Sequence, residues 1–396
     1  MKKHACRNSV LALVGLASLL IYVLACTSFS PDDSKVLYPT VDPKSGAFGV
    51  AVYDRASGKS ELLFLPFGQV VDRLETHPIL LRSQWLPDGR NVLVAWPDLE
   101  SSGEAKDDGL NVAVLPFGGR GPTRLFLLSD LEESALRLMR PLPVVGRSLF
   151  LTGESNSLIR MDLETGQMRS QTGLPEMRLL SSPGGDRLFY LTESVGADGR
   201  RECGVMNPET LARTPLFQIE SKEFRDEAEF FAVSREGKRL AYFAEEGNQP
   251  VCRLLESGQP ARTLPLPSGN GDLEVGNMRF APKGDVLYAA FMNRDAGRTN
   301  FSFGFFEIPI DGAPARQTSL ISGAGKQDHQ STLPYFQLEV SNDGKTLAVA
   351  STYLDLHHEL NAADSALFLV DLGSPQRTVT KVPIPLQPEK PSAIVK

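Results

Sequence analysis

The chain has 396 residues, with 41 Lys and Arg against 48 Asp and Glu for a net charge of -7, and its basic residues are scattered without a Lys/Arg-rich run. That balance argues against nucleic acid or an anionic bilayer surface as the main partner. The length would allow two or more compact domains, but toroidal sheet folds of this size are also single units, so repeats are sought before domains are drawn.

Residues 1–25 carry Lys2, Lys3 and Arg7, followed by an uncharged apolar stretch from Val10 to Ala25. This is an export signal or a membrane anchor, with a length between those of a cleaved apolar segment and a spanning helix. Val23-Leu24-Ala25-Cys26 resembles the bacterial lipobox. The resemblance implies lipid attachment at Cys26, with an uncleaved anchor and an ordinary secretory signal as alternatives. The expected location is the bacterial cell envelope, membrane-anchored and facing the periplasm or the exterior.

A repeat follows: an apolar or aromatic pair, a turn containing Asp or Gly, a basic or polar residue, then a strongly hydrophobic strand. It begins as Phe29-Ser30-Pro31-Asp32-Asp33-Ser34-Lys35-Val36-Leu37-Tyr38 and returns as Trp85-Leu86-Pro87-Asp88-Gly89-Arg90-Asn91-Val92-Leu93-Val94. A degraded copy spans Leu142 to Phe150, and further copies start at Ser182, Val233, Phe280 and Val340. Pro presets φ, Asp bonds back to the backbone and Gly accepts a positive φ, so each copy predicts a tight reversal. The Gly-like position falls at residues 33, 89, 146, 185, 237, 284 and 344.

Each reversal is followed by a second hairpin, as at Asp54-Arg55-Ala56-Ser57-Gly58-Lys59 and Glu256-Ser257-Gly258, so each unit holds about four strands. Val92-Leu93-Val94-Ala95 and Leu347-Ala348-Val349-Ala350 read as strands covered on both sides. One such sheet alone would leave its faces and edges open, whereas seven around an axis shield one another. An array of sandwiches would instead alternate a buried and a polar face. The expected fold class is all-β: a seven-bladed β-propeller of four-stranded antiparallel blades over residues 26–386, with a Pro-rich tail at 387–396.

Leu131 to Met139 is the best candidate for a helix, with acids near its start and arginines near its end. Ring closure needs an inner strand in blade one, for which only about Ala25 to Phe29 is at hand. Either that strand is very short or Ser392 to Val395 supplies it. Both options hold the anchor close to the torus.

The Phe-Ser-Pro-Asp and Trp-Leu-Pro-Asp-Gly-Arg turns resemble the repeat of the TolB-like, or PD40-type (WD40-like), propellers, over nearly all of residues 29–386. Similar repeats occur in the non-catalytic propeller domain of prolyl oligopeptidases and dipeptidyl peptidases. The resemblance implies the fold and leaves function open, because propellers serve adaptors, gating domains and a few enzymes. No segment resembles the hydrolase domain of those peptidases.

The sequence holds no Gly-x-Ser-x-Gly nucleophile elbow and no phosphate-binding Gly-rich loop. No catalytic, cofactor-binding or metal residue is assigned. The densest polar cluster is Asp355, His357, His358, Glu359 and Asp364, which reads first as a solvated loop and second as a metal site joined by His329. Cys203 and Cys252 fall at equivalent positions of neighbouring units, which predicts two buried thiols rather than a disulfide. Phe301, Phe303 and Phe305 share a strand face and read as packing between blades.

Insertions at Asp98 to Gly109, Glu193 to Arg201, Asn293 to Thr299 and Tyr353 to Asp364 each fall between the second and third strands of a unit, so they emerge on one face. The first and last are acidic. Loops on a rigid repeat scaffold are where partners bind. The leading expectation is a non-enzymatic, envelope-associated scaffold binding a protein or peptide partner. The alternatives are a small-ligand or glycan binder using the central channel and a metal-dependent lyase or hydrolase.

Overall fold

Seven turns of one kind organise the chain. The computed structural model describes residues 27–41, 48–64, 82–99, 105–119, 123–128, 142–153, 156–182, 185–193, 195–196, 199–220, 231–246, 249–267, 271–295, 300–324, 335–352 and 366–382. In all seven turns the expected position has positive φ, from 57° at Asp33 to 72° at Gly237. Where a serine opens the turn, it closes it as well. Ser30 Oγ accepts from the Lys35 amide at 3.0 Å, Ser234 Oγ from Arg239 at 3.1 Å and Ser341 Oγ from Thr346 at 2.9 Å. The turn aspartate holds the outgoing amides, with Asp88 accepting from Arg90 and Asn91 at 2.8 and 3.0 Å. Backbone groups that the reversal strips from the ladder are thereby paired.

Each turn joins the first two strands of a sheet whose four strands pair in chain order, and there are seven such sheets. Blade 1 is β1 (Ser28–Phe29), β2 (Lys35–Val41), β3 (Phe48–Asp54) and β4 (Lys59–Phe64). Blade 2 is β5 (Arg82–Trp85), β6 (Asn91–Leu99), β7 (Ala105–Pro116) and β8 (Arg124–Leu128). Blade 3 is β9 (Val144–Val145), β10 (Ser148–Gly153), β11 (Ser157–Asp162) and β12 (Met168–Gln171). Blade 4 is β13 (Met177–Ser181), β14 (Leu188–Thr192), β15 (Arg200–Met206) and β16 (Arg213–Glu220). Blade 5 is β17 (Phe231–Val233), β18 (Arg239–Glu246), β19 (Gln249–Glu256) and β20 (Arg262–Leu264). Blade 6 is β21 (Gly271–Phe280), β22 (Val286–Asp295), β23 (Asn300–Pro309) and β24 (Arg316–Ala324). Blade 7 is β25 (Tyr335–Val340), β26 (Thr346–Thr352), β27 (Ala366–Asp371) and β28 (Val379–Val382). The protein is an all-β, seven-bladed propeller.

The core lies between blades. Seven apolar clusters are described, and each is shared by two neighbours. Alternate residues of one strand go to different clusters: Leu93 and Ala95 face blade 3, whereas Val92 and Val94 face blade 1. This is the physical reason the strands are apolar on both sides, since each buried Val or Leu gains about 1.5–3 kcal/mol on whichever face it lies.

The seam between the first and last blades is one of these interfaces. Phe29, Val36, Tyr38 and Tyr53 pack against Ala348, Leu367, Leu369 and Val382. Polar contacts reinforce it. The Asp33 carboxylate accepts from the amides of Asn342 and Asp343, both at 2.9 Å, and from Asn342 Nδ2 at 3.0 Å. Arg55 reaches the Asp33 carbonyl and Thr346 Oγ1, each at 2.7 Å. The Thr27 amide donates to Gln337 Oε1 at 2.9 Å.

Of the two expected routes to closure, the very short inner strand is the one seen, because β1 occupies the inner position of blade 1 with two residues. The tail at 387–396, the helix candidate at 131–139 and the segment 1–26 lie outside the described residues. The degraded third copy also has a simple form. Val144 and Val145 are strand rather than turn, and Gly146-Arg147 alone makes the reversal.

Candidate functional site

Because the strands alternate in direction, the reversals joining first to second and third to fourth strands share one face, the turn face. Connections from second to third strands and from blade to blade share the other. The two faces differ in length of chain. On the turn face the longest connections are residues 117–123 and 372–378; on the other they run to residues 65–81, 129–143 and 353–365. All four sequence-expected insertions belong to this second, long-connection face. In three of them strands continue into the expected loop: β6 and β7 still pair at Leu99 and Ala105, β15 begins at Arg200, and β22 runs on to Asp295.

Arginines staple blade to blade. Arg124 donates to the Leu163 carbonyl at 3.1 Å, Arg187 to Glu236 at 2.8 Å and Arg239 to Gly284 at 2.7 Å. Arg160 grips Glu209 through both nitrogens at 2.7 and 2.8 Å, and Arg377 grips Glu307 at 3.0 and 2.7 Å. The scattering of basic residues along the sequence thus has a structural cause: three of these arginines each donate to a backbone carbonyl and two hold a carboxylate bidentately.

The channel is lined by the residue preceding the last one of each inner strand. Going round from blade 6, these are Arg279, Glu339, Ser28 and Gln84, with Val144, Leu180 and Ala232 completing the ring. The cavity they enclose measures about 350 Å³ and opens among turn residues Pro31, Pro87, Arg235 and Asn342, hence on the turn face. Arg279 Nε donates to Glu339 Oε2 at 3.0 Å, and Arg279 Nη1 to the Met278 carbonyl at 3.0 Å. Burial pushes the Glu339 carboxyl up, against the pull of Arg279. Gln84 is 8% exposed, and its Oε1 has no hydrogen-bond partner. This arc was not read from the sequence. The signal was there, in the residue just before each Phe29-like or Trp85-like position, but channel-facing positions show only once the register is known.

Among the described residues no group of three or more His, Cys, Asp and Glu is placed to hold a metal ion. His77, His329, Asp355, His357, His358, Glu359 and Asp364 lie outside them, as does Cys26. Cys203 and Cys252 are free and fully buried, in the clusters between blades 4 and 5 and between blades 5 and 6. Burial pushes both thiols up to about 12. Phe303 and Phe305 pack against blade 7, as their spacing predicts, and the side chain of Phe301 is outside the description.

Fold and faces together define a propeller-type repeat scaffold with one short-turn face, one long-connection face and a narrow channel. No protein-family model matches the chain, and no curated protein does. Solved structures do match. KlAtg21, in its complex with the coiled coil of AgAtg16, aligns at 12% identity and TM-score 0.51 over 91% of this chain and 98% of that one. An acylaminoacyl peptidase complexed with a chloromethyl ketone aligns at 11% identity and TM-score 0.50, over 84% and 51%. An oligogalacturonate lyase in complex with manganese aligns at 12% identity and TM-score 0.47, over 88% and 84%. At such identities the likeness is one of fold.

Proposed function

We propose that the protein is a TolB-like, membrane-tethered scaffold of the bacterial cell envelope that binds a protein or peptide partner through its long-connection face, without turnover. The observation that supports this is the asymmetry of the faces: chain length beyond what joins the strands is spent on one side only. That side is also acidic, with Asp98, Glu100, Glu104, Asp107, Asp108, Asp355, Glu359 and Asp364 in its insertions. A partner with a basic surface fits it, since complementary charge speeds encounter and rejects acidic competitors.

The tether adds an orientation. Thr27 is buried and its amide is bonded in the blade 1–blade 7 seam, so a lipid on Cys26 leaves the torus with no linker. The start of β1 lies on the long-connection face. That face then looks toward the membrane, and its partner is membrane-embedded or membrane-bound.

A photo-crosslinking side chain at Val195, 45% exposed in the blade 4 insertion, and another at Arg147 on the turn face test the reading in native cells. One defined membrane-associated adduct from position 195 and none from position 147 is the expected result. Adducts from position 147 alone, or none from either together with turnover of a defined substrate, would overturn it.

A further inference from the structure

The geometry points to a second site, in the channel mouth on the turn face, that takes a neutral hydroxyl-bearing small molecule of mono- to disaccharide size. It is independent of the partner face, lying at the opposite end of the channel.

Three observations carry it. The first is size: about 350 Å³ is at the lower end of small-molecule pockets and too small for a folded partner. The second is the division of the wall. Arg279, Glu339, Ser28 and Gln84 come from blades 6, 7, 1 and 2, which are consecutive around the ring, while Leu180 and Ala232 face them from blades 4 and 5. A ligand there has hydrogen-bonding groups along one edge and mainly hydrocarbon along the other, where Ser181 and Ser182 are the polar exceptions. A sugar ring is built in that way.

The third is what the polar arc leaves unpaired. Its two charges already satisfy each other at 3.0 Å, so the wall offers no net counter-charge to an ion stripped of water. The remaining charge, on Arg235, is exposed at the rim. Gln84 is nine-tenths buried, and its Oε1 has no hydrogen-bond partner. A hydroxyl donates to that oxygen and, through the same atom, accepts from the amide nitrogen beside it. Ser28 Oγ accepts from the Trp85 amide at 3.0 Å, which leaves its own proton to donate.

Trp85 lines the cavity and reports on it. With Trp96→Phe in the full-length protein it is the sole tryptophan of the chain. Titration with glucose, N-acetylglucosamine and maltose, and with glucuronate and inorganic phosphate as charged probes, follows its fluorescence. Saturable binding of at least one neutral sugar is expected, weakened about tenfold or more by Gln84→Leu and unchanged by Gln259→Leu on the surface. Ala232→Leu narrows the site from the apolar side and weakens binding independently, should Gln84→Leu fail to fold. No saturation by any neutral sugar up to about 50 mM, saturation by the charged probes alone, or binding indifferent to both channel variants would overturn the proposal.

Discussion

Asp33 stands where the other six blades carry glycine. A non-glycine residue at φ 57° is strained, and aspartate is among the few side chains that tolerate the region. What offsets the strain is the set of three hydrogen bonds to Asn342 and Asp343 across the seam. Asp33→Gly relieves the backbone and removes the latch, so its net effect reads the latch less the strain it offsets. We expect a loss of about 1–3 kcal/mol in urea unfolding, with Asp33→Asn losing less. Equal stability of Asp33→Gly and wild type would mean the latch does no more than offset the strain of the turn. The repeat located Asp33 as a turn residue, but its partner lies 309 positions away, and no local pattern carries that information.

The two buried thiols make a second prediction at this scale. With burial raising their pKa to about 12, both stay protonated and unreactive at pH 8. Mass spectrometry after alkylation of the native protein at pH 8 should find Cys203 and Cys252 unmodified, and both modified in denaturant. Labelling of either in the native state would contradict the packing. Their equivalence across neighbouring units was legible from spacing alone, because it rests on the repeat and on nothing outside it.

At the scale of elements, the turns and strands were largely readable, since a Pro-Asp-Gly reversal and a run apolar on both faces are local signals. The irregularities were not. In blades 4 and 6 the third strand slips against the fourth after Cys203 and after Phe303, and a glycine sits at each slip. A Cβ on Gly304 would lie 1.9 Å from the Thr318 carbonyl oxygen, and one on Gly204 would lie 2.3 Å from that of Thr214. Backbone atoms cannot yield as a flexible side chain can. Gly304→Ala and Gly204→Ala should each lower stability by about 3 kcal/mol or more, or prevent accumulation, whereas Gly258→Ala on an open turn should cost about 1 kcal/mol. Differential scanning calorimetry of the three variants checks the order. A glycine required by a bulge looks, in sequence, like any other glycine in a strand.

For the whole molecule, the sequence carried the number of blades and the side on which the insertions emerge, because both follow from counting strands. It did not carry the channel's polar arc or the seam, which exist only when the ends of the chain meet. The seam also bears on cooperativity. Each apolar cluster needs two blades, so loss of one exposes the facing halves of two clusters. Cutting the seam contacts should therefore lower stability without leaving a folded six-blade remnant, and unfolding followed by fluorescence and by circular dichroism should stay coincident.

The central claim is that the blades close into a ring through contacts between the first and the seventh, without exchange of strands. Native-state hydrogen exchange at the amides of Thr27, Asn342 and Asp343 tests it most directly, since all three donate to side chains across that seam. The account predicts protection comparable to that of amides inside a blade, such as Leu93 on the second strand of blade 2. Exchange at the rate of an exposed sheet edge, with the strands themselves protected, would show an open row of blades and contradict it.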